Sequence, residues 1–220
     1  MMAVEMVQLA NHEEWLKNRK NGIGGSEISA IVGLNPYMSN IDLWELKTGR
    51  RQAEDISDKP YVQYGTQAEM HLRGLFRLDF PLYKVEYREN NSWTNTKYPW
   101  AKASLDGWMI DQDGRIGVLE IKTSEILSSR HKEKWSGNKV PSNYYCQALL
   151  YMAVIEADFA IIKAQLKTEF DGMPYLQTKH YLIEKEYAQE DIDYLMSEGE
   201  KFWGYVQRDE EPPLILPELI

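Results

Sequence analysis

The segment spanning residues 103–124 constrains the fold more than any other part of the chain, because it consists of two β-rich runs on either side of a short polar turn. The turn, residues 111–114, ends in a glycine, which is the pattern of a β-hairpin. Asp106 lies on the first run, and Glu120 and Lys122 lie on the second. Because side chains alternate along a strand, the second run is predicted to have one apolar face and one face that carries this charged pair.

A hairpin of this kind can bring Asp106 beside Glu120 and Lys122. Two neighbouring carboxylates repel each other unless a cation or a proton lies between them, and hard divalent cations prefer such oxygen ligands. A lysine ammonium next to them can hold or activate a water molecule. The three residues therefore fit metal-assisted phosphodiester hydrolysis. Taken alone, they fit an ordinary cross-strand salt-bridge cluster equally well.

Composition limits the class of protein. The chain has 220 residues, of which 43% are hydrophobic and 27% charged, so we predict one globular domain over residues 1–220. No apolar run reaches the roughly 20 residues that cross a bilayer, and the N-terminus lacks the pattern of a signal peptide. A single cysteine, Cys146, excludes an internal disulfide framework. These features favour the cytoplasm and no membrane association.

The net charge of −9 is unfavourable for a non-specific DNA-binding protein. A DNA substrate would therefore require basic residues that are concentrated locally. The candidate clusters are Lys17/Arg19/Lys20, Arg50/Arg51 and Arg130/Lys132/Lys134. Each one alone also fits a solvated helix end or loop.

A helix is predicted from Pro60 to about Asp79, with the proline in its first turn. One face of it is apolar except for Glu69. A carboxylate that faces a core needs a cation, a proton or a position at the rim. A metal beside Asp106 and Glu120 would supply the cation; alternatively, Glu69 reaches solvent from the edge of the face. The residues of this face are Val62, Gly65, Glu69, Leu72 and Phe76.

A second helix is predicted from Ser142, as its cap, to about Glu156. Its inward stripe contains one polar exception, Gln147, which either orients the attacking water or a phosphate, or is a core glutamine bonded to backbone. The stripe comprises Tyr144, Gln147, Tyr151 and Val154.

Three glycines precede Ser26, which is predicted to cap the helix that follows. An N-terminus of this kind can receive an anion, so the functional interpretation is a phosphate cradle with Arg19 as its charge partner. The alternative is a glycine loop that packs one helix on another.

The remaining pattern predicts an α/β fold, with a mixed central sheet flanked by helices. The predicted strands are residues 83–88, 101–106, 117–123, 157–168 and 178–184, the last two around an Asp171-Gly172 turn. Further helices are predicted at residues 11–20, 39–49 and 187–208. Residues 52–59 are a predicted loop, residues 125–141 a basic irregular segment over the site, and residues 212–220 a proline-rich strap or subunit contact.

The order Asp106, then Glu120-Ile121-Lys122, resembles the PD-(D/E)XK nuclease signature, with Leu105 in place of the proline. The similarity extends from about residue 19 to 164, where the chain resembles the YqaJ-like viral recombinase family, to which phage lambda exonuclease is related. The matching motifs are Arg19 with Gly22-Ile23-Gly24-Gly25-Ser26, Gly33-Leu-Asn-Pro36-Tyr37, Leu43-Trp44-x-x-Lys47-Thr48-Gly49, Gly65-x-x-x-Glu69 and Gln147-x-x-x-Tyr151.

The resemblance implies a restriction-endonuclease-like core and a magnesium-dependent 5′→3′ double-stranded DNA exonuclease of phage-type recombination by single-strand annealing. Such an enzyme releases 5′ mononucleotides and leaves 3′ single strands. By the same resemblance, two Mg²⁺ ions (or Mn²⁺ in their place) are held by Asp106 and Glu120 with the Ile121 carbonyl, and Glu69 completes the metal site directly or through water.

The resemblance also assigns the remaining roles. Lys122 positions and activates the nucleophilic water, and Gln147 orients the groups around it. The residues that it assigns to binding of the 5′-phosphate and DNA are Arg19, Ser26, Gly25 and Arg130.

The implied partners are double-stranded DNA ends, a single-strand annealing protein and two further copies of the chain in a ring of three. The implied location is the cytoplasm of a bacterial host, with a phage or prophage as the source. Two alternatives remain at this stage: an endonuclease on the same core, and a non-catalytic DNA-binding subunit.

Overall fold

The computed structural model describes residues 3–216, which form two β-sheets and the helices that pack on them. The first part of the chain contains β1 (Val4–Gln8), α1 (His12–Lys20), β2 (Ile23–Gly24), α2 (Gly25–Ile31), α3 (Asn40–Lys47) and α4 (Pro60–Asp79). The middle contains β3 (Lys84–Glu86), β4 (Asn91–Asn95), β5 (Tyr98–Ala103), β6 (Gly107–Ile110), β7 (Ile116–Glu125) and α5 (Ser129–Glu133). The last part contains α6 (Ser142–Ile155), β8 (Phe159–Phe170), β9 (Met173–Glu184) and α7 (Lys185–Arg208).

The larger sheet has the strand order β3-β6-β7-β8-β9 and carries the predicted hairpin. Strands β6 and β7 are antiparallel, with Gly107 opposite Leu119, while β7 and β8 are parallel. The second predicted hairpin is also present, as β8 and β9. Strand β8 has the predicted length but begins two residues later, and β9 is longer than predicted because its pairing with β8 continues up to the turn. The α/β class with sheets of mixed direction flanked by helices is therefore confirmed.

The smaller sheet, of order β1-β4-β5-β2, was not predicted as a separate unit. The predicted strand at residues 101–106 belongs to it as β5 and ends at Ala103. Its neighbour β4 was not predicted, because most of its side chains are polar and such a segment is not expected to form a buried strand. The cost of burial is offset by hydrogen bonds: the Asn91 side chain accepts the N–H of Leu105 at 2.8 Å and donates to the Leu105 carbonyl at 2.9 Å.

The helix ends follow from capping residues in most cases. Asn11 caps α1 by accepting the N–H of Glu14 at 2.9 Å, and α4 has the predicted bounds. Two predicted caps were wrong: the N-cap of α2 is Gly24, so Ser26 lies inside the first turn, and the N-cap of α6 is Pro141. In both cases the helix begins one or two residues early, and its N-cap residue has no side-chain oxygen that could accept a hydrogen bond.

The basic segment at residues 125–141 is only partly irregular, since β7 extends to Glu125 and α5 follows. Trp135 is buried, and its carbonyl accepts hydrogen bonds from Lys179 Nζ at 2.7 Å and the Tyr181 hydroxyl at 2.8 Å. This anchor fixes the segment beside Tyr144, whose ring packs on Trp135.

The core has two parts on opposite faces of the larger sheet. The main cluster surrounds α6, which is buried on every side from Cys146 to Ile155, and the smaller one lies beneath α4 around Leu72 and Phe76. Together they hold β7 between two helices. No helix within residues 3–216 combines the length and apolar composition needed to cross a membrane.

The proline-rich tail forms a strap as far as the structure describes it. The Asn40 side chain at the start of α3 donates to the Pro213 carbonyl at 2.8 Å and accepts the N–H of Ile215 at 3.0 Å. The strap interpretation is thus confirmed for residues 212–216; residues 217–220 lie outside the described residues.

Candidate active site

The site forms where β7 runs beyond the end of its partner β6. Pairing between the two strands ends at Gly107 and Leu119, and Asp106 stands just before β6. Its carboxylate accepts the N–H of Ile121 at 2.7 Å and so replaces the missing strand partner. Because the N–H and C=O of one strand residue point to the same edge, the Ile121 carbonyl points to the edge that Asp106 occupies.

Glu120, Lys122 and Gln147 form a closed triangle next to this edge. Lys122 Nζ lies 2.7 Å from Glu120 Oε1 and donates to Gln147 Oε1 at 3.0 Å. Gln147 Nε2 donates in turn to Glu120 Oε1 at 2.6 Å, which fixes the amide orientation. The prediction that a hairpin and the following helix bring these three side chains together is therefore met by the geometry.

Two aromatic rings of α6 complete the surroundings of the triangle. The Tyr151 hydroxyl lies 3.1 Å from Gln147 Nε2, and the Tyr144 ring lies 4.8 Å from the Lys122 ammonium. Both rings keep water away from one side of the charged groups, which strengthens every electrostatic interaction among them.

The charges of the site are strongly perturbed. Burial, then the negative charges of Glu120 and Glu69, raise the pKa of Asp106 well above its ordinary value, and burial also raises the pKa of Glu120. Burial alone would lower the pKa of Lys122, but Glu120 and Asp106 outweigh it and raise that pKa. The Lys122 ammonium thus lies near the carboxylates of Asp106 and Glu120, whose ionised forms are costly because both groups are buried.

One carboxylate oxygen of the site has no partner. Glu120 Oε2 is fully buried, and nothing in the described part of the chain donates a hydrogen bond to it. An unsatisfied buried carboxylate oxygen is costly unless a cation or a hydrogen-bond donor approaches it. Two carboxylates and the Ile121 carbonyl are hard oxygen donors, and this set fits a divalent cation such as Mg²⁺.

Glu69 does not add a direct third carboxylate to this set. Residues 3–216 contain no group of three or more acidic, histidine or cysteine side chains close enough to hold one ion. Glu69 faces the site from α4, but its Oε1 accepts Arg73 at 2.8 Å, and Arg73 also donates to the Asp106 carbonyl. Glu69 is therefore a partly exposed carboxylate whose cation is Arg73, which combines two of the alternatives left open by the sequence, and a water-mediated role of Glu69 at a metal remains a prediction.

Arg73 is the member of the site that sequence reasoning missed. It is buried, and its guanidinium lies 3.5 Å from the centroid of the Tyr87 ring. The signal was available: Arg73 follows Glu69 by four residues, the spacing at which opposite charges pair on a helix.

Arg19 and Ser26 meet in the same cleft. The Arg19 guanidinium donates to the Ser26 hydroxyl, and a Cβ added to Gly24 would lie 3.4 Å from Arg19 Nε. At Gly25 an added Cβ would lie 2.5 Å from the Tyr151 ring, so only glycine lets α2 dock against α6.

One open cleft of about 710 Å³ joins these groups. It is lined by the predicted residues Arg19, Gly25, Ser26, Glu69, Asp106, Glu120, Ile121, Lys122 and Gln147. Arg130 is not brought to it: this side chain is exposed on α5 and does not line the cleft. The Arg50/Arg51 cluster is also elsewhere, since Arg50 pairs with Asp209 and Arg51 with Asp42.

Two solved structures share this fold. The alkaline exonuclease LHK-Exo from Laribacter hongkongensis is 18% identical, with a TM-score of 0.63 over 90% of this chain and 93% of that chain. The same protein in complex with dAMP is 17% identical, with a TM-score of 0.61 over the same shares. The fold is therefore that of exonucleases of the restriction-endonuclease-like type.

The family of the protein is identified by comparison of its sequence. The profile of the YqaJ-like viral recombinase domain matches residues 14–159, close to the range of the motifs. The chain belongs to this family. It is also similar to the uncharacterized protein YqaJ of Bacillus subtilis (strain 168), with 26% identity over 196 residues. That match covers 88% of this chain but only 56% of the relative, so the chain spans little more than half of that protein's length.

Proposed function

We propose that the protein is a magnesium-dependent 5′→3′ exonuclease of double-stranded DNA that acts in homologous recombination. The observation that carries the proposal is Glu120 Oε2, which is buried beside Asp106 and Lys122 and has no hydrogen-bond partner among residues 3–216, in a cleft that also contains Arg19 and Ser26. Family membership supports a nuclease in recombination, and the neighbour solved with dAMP is an alkaline exonuclease.

The metal site would consist of Asp106, Glu120 and the Ile121 carbonyl, with Glu69 reaching it through water. We propose two Mg²⁺ ions, for which Mn²⁺ substitutes. When bound by these residues, a divalent cation would supply an activated water and offset charge in the transition state. A cation held there would offset the burial and the carboxylate repulsion that together raise the pKa of Asp106.

The side chains around the metal site have separate tasks. Lys122 holds the attacking water by donating a hydrogen bond, and Gln147 fixes the Lys122 ammonium through its Oε1. Arg19 and Ser26 hold the 5′-phosphate, so that the first phosphodiester of the chain lies at Asp106 and Glu120. This arrangement gives release of 5′ mononucleotides and leaves a 3′ single strand.

The decisive test uses linear, nicked and closed circular duplexes, each with Mg²⁺ or with EDTA. We expect mononucleotide release from linear DNA only with Mg²⁺, and loss of a 5′ label before a 3′ label. Cleavage of closed circles would indicate the endonuclease alternative, and binding without any release would indicate a non-catalytic subunit.

The residue assignment is tested with Asp106→Ala and Glu120→Ala. Both are expected to abolish release while the far-ultraviolet circular dichroism spectrum is unchanged. Asp113→Ala is the matched control, because Asp113 is an exposed acid in the turn of the same hairpin. Normal magnesium-dependent degradation by either site variant would defeat the assignment.

We also propose a ring of three subunits around DNA and a single-strand annealing protein as partner, both on the basis of the family resemblance. In such a ring, basic residues line the channel and acids face outward, which reconciles DNA binding with a net charge of −9. Sedimentation velocity tests the trimer, and a monomer with full activity would overturn it.

A further inference from the structure

Asp106 occupies a gap between two strands, and both of its polar ends are held there. Strand β5 ends at Ala103 and β6 begins at Gly107, so Asp106 belongs to neither. Its carboxylate accepts the N–H of Ile121 on β7 at 2.7 Å, and its main-chain carbonyl accepts a hydrogen bond from the guanidinium of Arg73 on α4. The direction of the Asp106 side chain therefore depends on a helix as well as on the sheet.

The Arg73 guanidinium is itself held by three contacts. Its Nη1 donates to Glu69 Oε1 at 2.8 Å and to the Asp106 carbonyl, and its Cζ lies 3.5 Å from the centroid of the Tyr87 ring. Nη1 carries two N–H groups, so one nitrogen serves both acceptors. A planar guanidinium can donate in its plane while its face lies on an aromatic ring, which a lysine ammonium cannot do.

An ordinary ion pair on a helix surface does not account for these contacts. Exposed pairs four residues apart contribute little, whereas the side chain of Arg73 is only 7% exposed and that of Glu69 29%. A buried guanidinium is costly unless its N–H groups are satisfied, and the Asp106 carbonyl satisfies one of them. The contact to Asp106 is thus a reason for Arg73 to lie inside the site rather than at its rim.

We propose that Arg73 is a positioning residue of the metal site, which holds the Asp106 carbonyl so that the Asp106 carboxylate is directed toward Ile121 and a divalent cation. This role deepens the exonuclease function proposed above and rests on it. Outer groups that orient a metal ligand commonly change metal affinity by roughly 10–100-fold. The positive charge of Arg73 would by itself repel a cation, so its positioning and its charge have effects of opposite sign.

The first test measures Mn²⁺ binding without DNA, by the electron paramagnetic resonance signal of free Mn²⁺. Arg73→Gln removes the charge and the contact together. If positioning dominates, this variant binds Mn²⁺ about tenfold more weakly or worse than the natural chain. Unchanged or tighter binding by Arg73→Gln would overturn the proposal, because tighter binding is the result that loss of a repelling charge alone would give.

Arg73→Lys separates the charge from the contact in a variant that keeps the ion pair. Glu69 and residue 73 lie on the same helix and can still pair, whereas the shorter lysine side chain ends before the position of Nη1 and loses the Asp106 carbonyl. We expect the same loss of Mn²⁺ affinity as in Arg73→Gln. Natural affinity in Arg73→Lys would show that a positive charge is sufficient, and the positioning role would be wrong.

Arg77→Gln is the matched control, one turn further along α4. Arg77 Nη2 also donates to a main-chain carbonyl, that of Val85 at 3.0 Å, but Arg77 is exposed and does not line the cleft. This variant is expected to keep the Mn²⁺ affinity of the natural chain. An equal loss in Arg77→Gln would indicate general loosening of α4 and would contradict a specific role of Arg73.

The second test needs neither metal nor DNA, because it follows amide hydrogen exchange at Ile121 by NMR in EDTA. The Asp106 carboxylate accepts this N–H, so its exchange reports on the orientation of Asp106. Ile162, on β8 between two partner strands, reports on general stability. Arg73→Gln is expected to accelerate exchange at Ile121 more than at Ile162. Equal acceleration at both amides would mean that Arg73 acts on stability alone.

Failure of the metal site and failure of the positioning role are distinguishable. If the natural chain binds no Mn²⁺, the metal site of the proposed function is wrong, and exchange at Ile121 still decides whether Arg73 orients Asp106. If the natural chain and Arg73→Gln bind Mn²⁺ equally well, the metal site stands and the positioning role is wrong.

Discussion

Two lysines on neighbouring strands, one partly and one fully buried, show that the two faces of the larger sheet provide different surroundings for a charge. Lys122 on β7 points into the cleft beside α6, and Lys163 on β8 points to the opposite face beneath α4. Lys122 lies 2.7 Å from Glu120 and donates to Gln147. Lys163 is 1% exposed, and its ion pair with the half-exposed Asp79 is 3.4 Å long.

The pKa values of the two lysines shift in opposite directions. Two carboxylates overcome the burial of Lys122 and raise its pKa, whereas burial of Lys163 outweighs Asp79 and lowers its pKa. Burial of a charge therefore does not by itself indicate a functional site. What distinguishes the cleft is that several charged groups converge on space open to a ligand, and that one oxygen of Glu120 has no hydrogen-bond partner in the described part of the chain.

The largest expected effect comes from Asp106→Asn. We expect turnover to fall by about 10³-fold or more, because a ligand of the metal site is lost. Asp79→Asn, the matched change on the far face, is expected to keep turnover and lower stability, since Lys163 loses its ion pair. An equal loss of turnover in both variants would contradict the assignment of the active site to the face that carries Asp106.

The same Asp106 variant is expected to be more stable than the natural chain in EDTA. Burial raises the pKa of Asp106, so its ionised form costs stability at every pH above the ordinary value of 3.8. Each 1 kcal/mol recovered raises the Tm by about 2–4 °C. The Tm difference should shrink as the pH falls toward 3.8. Mg²⁺ should raise the Tm of the natural chain and not that of the variant; an equal rise in both would count against the metal site.

A smaller effect is expected from the same substitution at the two lysines. Lys122→Met should lower turnover by about 10²–10⁴-fold, with a much smaller loss of DNA affinity. Lys163→Met should keep turnover and raise the free energy of unfolding by about 1 kcal/mol, because a buried charge gives way to a packed apolar chain. Steady-state kinetics and denaturant unfolding measure both, and a dominant loss of affinity in Lys122→Met would contradict the water role.

The smallest effects are expected at two glycines. Gly25→Ala should lower the free energy of unfolding by about 1–3 kcal/mol through overpacking, since the new Cβ would lie 2.5 Å from Tyr151 and 2.7 Å from Gln147 Cγ. Gly74→Ala, with nothing within 4 Å of the new Cβ, should raise it by about 0.5–1 kcal/mol through helix propensity. If urea unfolding showed Gly25→Ala to be more stable than Gly74→Ala, α2 would pack less closely on α6 than it does in the structure.

Much of the cleft was predictable because its residues sit on elements with strong local patterns. The polar turn and the alternation of β7 placed Glu120 and Lys122 on one face, and the helical spacing of α4 turned Glu69 inward. Arg19 and Ser26 were paired from a glycine-rich motif, although the helix they border begins before Ser26 rather than after it.

The sequence by itself determined which residues share a face of each hairpin and helix, because alternation, turn glycines and capping act over only a few positions. Only the tertiary structure decided that β1, β2 and β4 join β5 in a second sheet, that Arg73 pairs with Glu69, and that Lys102 lies beside Gly24. The sheet and the register of Lys102 with Gly24 depend on contacts between segments tens of residues apart. Arg73 is close to Glu69 in sequence, but its choice of partner depends on which groups the packed fold buries around it.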